Sequence, residues 1–226
     1  MKVIYDDNQV VVAIKPPNIP TQADESGDED MLSLIKAFVK EKYNKQGQAF
    51  IGLVQRLDRP TGGVMMFARN SKAAARLTAQ IQNGDVQKTY FAVVKGTPKK
   101  PKARLENYLK KDEKNNKVAI CAMTETGAKK AVLDYEVISS KNGLSLLKIN
   151  LETGRTHQIR VQMAGIGCPL FGDAKYGAPE NSNASTKNLA LWAAELEFRH
   201  PTEDKVLVFK VNPPEKAPWN LFKNIY

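Results

Sequence analysis

The sequence predicts an α+β fold: a large, mixed, mostly antiparallel sheet with flanking helices. Three observations predict it. Strand-like segments follow one another across residues 117–151 with no helical stretch between them, and Asn142-Gly143 supplies the residue pair that favours a tight hairpin turn. Two amphipathic helical stripes stand apart from those strands. A doubly wound nucleotide fold would instead alternate strand and helix along the chain.

The elements follow in order. Val10-Val11-Val12-Ala13-Ile14 is a β-branched run stopped by Pro16-Pro17, which reads as a buried strand leading into a loop. Asp28-Glu29-Asp30 precedes Met31, Leu34, Ile35, Phe38 and Val39, an i, i+3, i+4, i+7, i+8 stripe with carboxylates at the positive end of the helix dipole. Asn70-Ser71 offers a cap for a second helix with the stripe Ala74, Leu77, Thr78 and Ile81, and Gly84 stands where a C-terminal glycine is wanted. Further strands are expected at Tyr90 to Val94, Lys117 to Cys121, Val132 to Ser140, Leu144 to Leu151, Leu189 to Phe198 and Val206 to Val211. Gly165-Ile166-Gly167 lacks the third glycine of a dinucleotide site and reads as a helix end.

Composition bounds the function. The 226 residues, 42% hydrophobic and 26% charged, fit one globular domain spanning 1–226. A formal net charge of +10 favours polyanions, either nucleic acid or an anionic membrane surface. No apolar run approaches the roughly 18 residues that cross a bilayer, and the opening residues lack a signal peptide's apolar core, so a cytoplasmic protein without a membrane partner is expected. Cys121 and Cys168 form no Cys-x-x-Cys pair, and His157 and His200 share no helix face, so neither a metal nor any other cofactor is expected. No Gly-x-Ser-x-Gly elbow supports a serine hydrolase, and no positioned pair of carboxylates supports a glycosidase.

The segment richest in chemistry is Arg56-Leu57-Asp58-Arg59-Pro60-Thr61-Gly62-Gly63. Pro60 pushes Arg59 out of the α region and Gly62-Gly63 frees the backbone before the apolar run Val64-Met65-Met66-Phe67, which makes a loop ending in a strand. Asp58 is the candidate nucleophile. Arg56 and Arg59 keep it ionised and offer charge to a phosphate-bearing substrate. Lys95 to Arg104 is a second cationic stretch, with Lys99 and Lys100 at its centre, and Lys110, Lys111, Lys114 and Lys117 follow on what reads as a polar turn.

Residues Gln55 to Leu77 closely resemble the signature of the RluA-type pseudouridine synthases. Three further blocks are similar to the family's motifs in the same order: Ile14-Lys15-Pro16-Pro17, Lys88 to Gly96, and Thr153 to Val161 with the trailing Gly172-Asp173-Ala174-Lys175-Tyr176-Gly177. The chain departs from the family at Gln55 and Gln162, where His is usual, and at Gly62, where Ser is usual. The resemblance implies the same α+β class with a central active-site cleft, and RNA uridine as substrate. It makes Asp58 catalytic, pairs Arg160 with it, stacks Tyr90 beside the target uracil as a possible proton acceptor, and sends Arg56 into the space left by the extruded base. Arg59, Arg155, Lys99 and Lys100 become RNA contacts. Many relatives carry a separate RNA-binding module ahead of the catalytic part, and none is expected here. Ribosomal or transfer RNA is the expected partner, no obligate protein partner is expected, and a monomer is the default. The alternative is a catalytically silent RNA-binding or ribosome-assembly protein of the same fold.

Overall fold

The computed structural model describes residues 1–44, 46–177, 189–223 and 225. Among them the fold is α+β, a mixed, mostly antiparallel sheet of eleven strands with three α-helices. The chain divides into two compact units: Met1–Gln87 with Glu195–Val211, and Lys88–Ala194 with Asn212–Tyr226.

The first unit holds strands β1 (Lys2–Asp6), β2 (Val10–Lys15), β3 (Gly52–Leu53) and β4 (Gly62–Ala68), and helices α1 (Met31–Lys42) and α2 (Ser71–Asn83). Val10 to Ala13 are fully buried, and β2 pairs antiparallel with β4, Val11 facing Phe67 and Ala13 facing Met65. Every residue of β4 is buried, which is why its sequence is a continuous apolar run with no alternation. In α1, Asp30 is the extended N-cap and its Oδ1 accepts from the Ser33 N–H at 3.1 Å, while Met31, Ile35 and Val39 are buried one turn apart. In α2, the Asn70 Oδ1 accepts from the Ala73 N–H at 2.8 Å, and Gly84 closes the helix at φ 82. The expected stripe needs correction, because Ala73 and Leu77 are the buried pair and Thr78 is exposed. The helix seats on the row i, i+4 from Ala73, which turns Thr78 outward.

The second unit holds β5 (Gln87–Lys95), β6 (Lys102–Asp112), β7 (Lys117–Cys121), β8 (Lys129–Lys141), β9 (Leu144–Leu151) and α3 (Gln158–Gly165). The strands pair antiparallel in the order β5-β9-β8-β6-β7. Asn142 and Gly143 both take positive φ, 53 and 72, and join Lys141 to Leu144 in the expected two-residue hairpin. A strand β10 (Leu191–Arg199) runs from this unit back into the first, where its last five residues pair with β11 (Val206–Lys210).

Three strands were not anticipated, one of them the two-residue β3, which pairs with β4. β1 is short and only half-buried, and β6 replaces the loop and turn read between Lys102 and Lys111. Ala103, Leu105 and Leu109 face inward in β6, and the charged residues between them occupy the other face. There Lys102 pairs with Glu136 at 2.7 Å, Arg104 with Asp134 at 3.0 Å and with Glu152, and Glu106 with Lys130 at 2.7 Å. Those cations are therefore neutralised by acids of the neighbouring chain segments, while Lys99 and Lys100 lie exposed in the bend before the strand.

Candidate active site

Asp58 sits half-buried on the loop before β4, and three contacts from the first unit fix that loop. Thr21, itself buried, accepts from the Leu57 N–H at 3.3 Å and donates to the Leu57 carbonyl at 2.8 Å. The Asn18 N–H donates to the Arg59 carbonyl at 2.8 Å, and the Thr61 N–H to the Asp58 carbonyl at 2.9 Å. Lys15, at the end of β2 and fully buried, donates its ammonium to the carbonyls of Pro16, Arg59 and Thr61 at 3.1, 2.8 and 2.7 Å. Three N–H bonds match three acceptors, so one side chain ties the strand end to the backbone just after Asp58. Burial pushes the Lys15 ammonium down to about 7, with the Asp58 charge pulling it up and Arg59 pushing it further down.

Lys15→Met keeps the apolar stem but offers no donor, and each loop carbonyl left unsatisfied costs about 1–3 kcal/mol, partly offset by removing a buried charge. A net loss of about 2 kcal/mol in denaturant unfolding is expected. The sign with pH is fixed by the lowered value: between about 7 and 10.5 the unfolded chain holds more protons at this lysine, so its contribution to stability grows as pH rises through that window. The Met variant should lack this rise; unchanged stability and an unchanged pH slope would remove the clamp from the account.

The two arginines beside Asp58 differ. Arg56 is exposed. Arg59 reaches back to the loop after β2, donating Nε to the Asn18 carbonyl at 3.2 Å and Nη1 to the Ser26 hydroxyl at 2.9 Å, and pairing with Asp24 and Asp28. Its charge is balanced within that loop.

In the second unit, Tyr90 is buried in β5 opposite Ile149 of β9. Arg160 lies in the first turns of α3, which follows His157 at φ 51. The helix is buried from Gln158 to Met163, and Arg160 is 3% exposed. Its Nε and Nη2 grip the two oxygens of Asp173 at 2.8 Å each, and its guanidinium stands 5.1 Å from the centre of the Tyr176 ring. Burial alone would raise the Asp173 carboxyl; the Arg160 grip and the N–H groups of Lys175 and Tyr176 outweigh it and hold the group below the ordinary carboxylate range. The Tyr176 hydroxyl in turn accepts from the Val118 N–H at 2.9 Å and lies 2.7 Å from His157 Nδ1. Asp173 and Tyr176 lie in the motif that trails Arg160 along the chain, and only the fold shows that they brace it.

Gln162, one of the departures, is a fully buried hub that accepts from Gln158 Nε2 at 3.0 Å and donates to Asn107 Oδ1 at 2.8 Å. Gln158 also accepts from the Thr153 hydroxyl and the Arg155 N–H, fixing the turn that carries Gly154 and Arg155. One set of potential metal ligands, Asp7, His200 and Glu203, is accounted for without a metal. His200 Nε2 lies 2.9 Å from Asp7 Oδ2, and its Nδ1 accepts from the Glu203 N–H at 3.0 Å, so both ring nitrogens brace a turn.

A profile of the RNA pseudouridylate synthase family matches residues 9–165, and the chain belongs to that family. It is 32% identical to an uncharacterized RNA pseudouridine synthase of Aquifex aeolicus, covering all of this chain and 72% of that protein. It is 31% identical to the uncharacterized RNA pseudouridine synthase YhcT of Bacillus subtilis, over 92% of this chain and 67% of the relative. It is 30% identical to the ribosomal large subunit pseudouridine synthase D of Zymomonas mobilis, over 95% and 70%. The fold is that of the human RNA pseudouridylate synthase domain containing 4, with a TM-score of 0.79 and 22% identity over 94% of this chain and 88% of that one. The protein is accordingly an RNA-modifying isomerase of the RluA type. Among the described residues no helix is long and apolar enough to cross a membrane.

Proposed function

We propose that this chain converts uridines of ribosomal or transfer RNA to pseudouridine in the cytoplasm, with Asp58 as the nucleophile. The observation that carries the assignment is the fixing of the Asp58 loop by Thr21, Asn18 and the buried Lys15, which leaves a half-buried carboxylate on a rigid segment. The reaction breaks the bond from N1 to C1′, turns the uracil over and joins C5 to C1′, after which C5 loses its proton and N1 takes one up. Uracil departs as a delocalised anion and returns as the carbon nucleophile, so atoms balance and no electrons are gained or lost overall. Asp58 either attacks an electrophilic centre of the nucleotide or stabilises the cationic sugar.

Tyr90 offers a flat face and a proton site for the target base. Arg160, braced by Asp173, serves the same reaction as a fixed cation, and exposed Arg56 takes the place of the extruded base, since C1′ and N1 are out of reach within a stacked helix. Arg59, Arg155, Lys99 and Lys100 complete the RNA contacts.

Incubating the purified chain with unmodified total RNA and mapping pseudouridine tests the proposal. Conversion at a small number of defined uridines is expected. RNA that is bound but never converted would support a silent RNA-binding protein instead.

A further inference from the structure

On β5, Lys88 precedes Tyr90 by two residues, so the two side chains share a face of the strand about 6.7 Å apart along it. Lys88 is half-buried, and its ammonium lies over the turn before α3: a Cβ built on Gly154 would stand 3.9 Å from the Lys88 Nζ. Among the described residues no hydrogen bond or ion pair reaches that ammonium. Its nearest charge influence is another cation, Arg155; burial first, and then that like charge, lower the Lys88 value. Arg155 is exposed and held by a single guanidinium bond, Nε to the Lys130 carbonyl at 2.9 Å, which leaves its Nη groups available. The carboxylate closest in sequence to Arg155, Glu152, is committed to Arg104 through both oxygens. Two cations brought together, one desolvated and neither matched by an acid, are costly unless an anion joins them.

We propose that Lys88 and Arg155 form a phosphate subsite, holding a backbone phosphate of the RNA beside the nucleotide at Tyr90. This rests on the reading of the chain as an enzyme acting on RNA. Gly154 contributes by lacking a side chain where the phosphate approaches, and Gln158 holds the turn in place.

The test is the salt dependence of binding to unmodified single-stranded RNA by the full chain. With about five phosphates contacted, the wild-type log–log slope should lie near −3.5, and each lost contact should flatten it by about 0.7. Lys88→Met and Arg155→Gln should each show that flattening with an unchanged melting temperature, the double variant about twice as much, and Lys88→Arg should keep the wild-type slope. If wild type converts uridine while Lys88→Met and Arg155→Gln share its slope, the subsite is wrong and the enzymatic reading stands. If wild type converts nothing yet the variants still flatten the slope, the subsite stands and the enzymatic reading falls. Absence of RNA binding would overturn both.

Discussion

Asp173→Asn should be the most destabilising conservative change in the second unit. The amide is nearly isosteric and can still accept from the Lys175 and Tyr176 N–H groups, but it removes the charge that Arg160 grips at 2.8 Å through two nitrogens. Both partners are buried, Asp173 completely, so the variant leaves a desolvated guanidinium without its counter-ion. A loss of about 3–5 kcal/mol is expected, or roughly 10 °C in melting temperature for a chain of this size. The pH dependence has the same sign as that of Lys15 but lies in the acid range. The folded Asp173 value is lowered, so its contribution is fully present above the ordinary carboxylate value of about 3.9 and fades as pH falls through the folded value. Wild type and variant should therefore converge in acid and differ most near neutrality. Denaturant unfolding across that range reads both features, and a gap that stays constant into acid would assign the stabilisation to shape instead of charge.

Much of this architecture was legible locally. The caps Asp30, Asn70 and Gly84 bound their helices because capping depends on residues a turn away, and Asn142-Gly143 set the hairpin because both residues tolerate positive φ. The bounds of β7 and β9 agree with their apolar patterns. β6 was hidden because its outer face carries alternating charge whose partners, Asp134, Glu136 and Glu152, lie some 30 to 50 residues further along the chain. In isolation those lysines and arginines resemble a solvated loop.

Within the site, the candidate carboxylate was visible and its supports were not. Lys15 stood in a motif, yet nothing local indicates that a lysine will be buried and donate to carbonyls 44 and 46 residues away. Arg160 was singled out, while the bidentate bond to Asp173 depends on the return of the chain after α3. Arg59 was read beside Asp58 alone, and its ties to Asp24, Ser26 and Asp28 come from a loop whose path the sequence does not encode locally. The general lesson lies in the physics: positions that cap or turn are set by neighbours, and positions that brace a reactive group are set by burial.

The most direct test of the catalytic assignment is the turnover of Asp58→Asn on an RNA that the wild-type chain converts. Asn fits the same half-buried space and leaves untouched the backbone bonds that fix the loop, among them the Asp58 carbonyl to the Thr61 N–H. The variant should fold with a wild-type melting temperature and bind RNA at least as well, since a negative charge has been removed. It lacks the charge and nucleophilicity on which cleavage of the glycosidic bond depends, so pseudouridine formation should be undetectable. Turnover above about a tenth of wild type, a loss of under about 1.4 kcal/mol in transition-state stabilisation, would contradict the assignment of Asp58 as nucleophile.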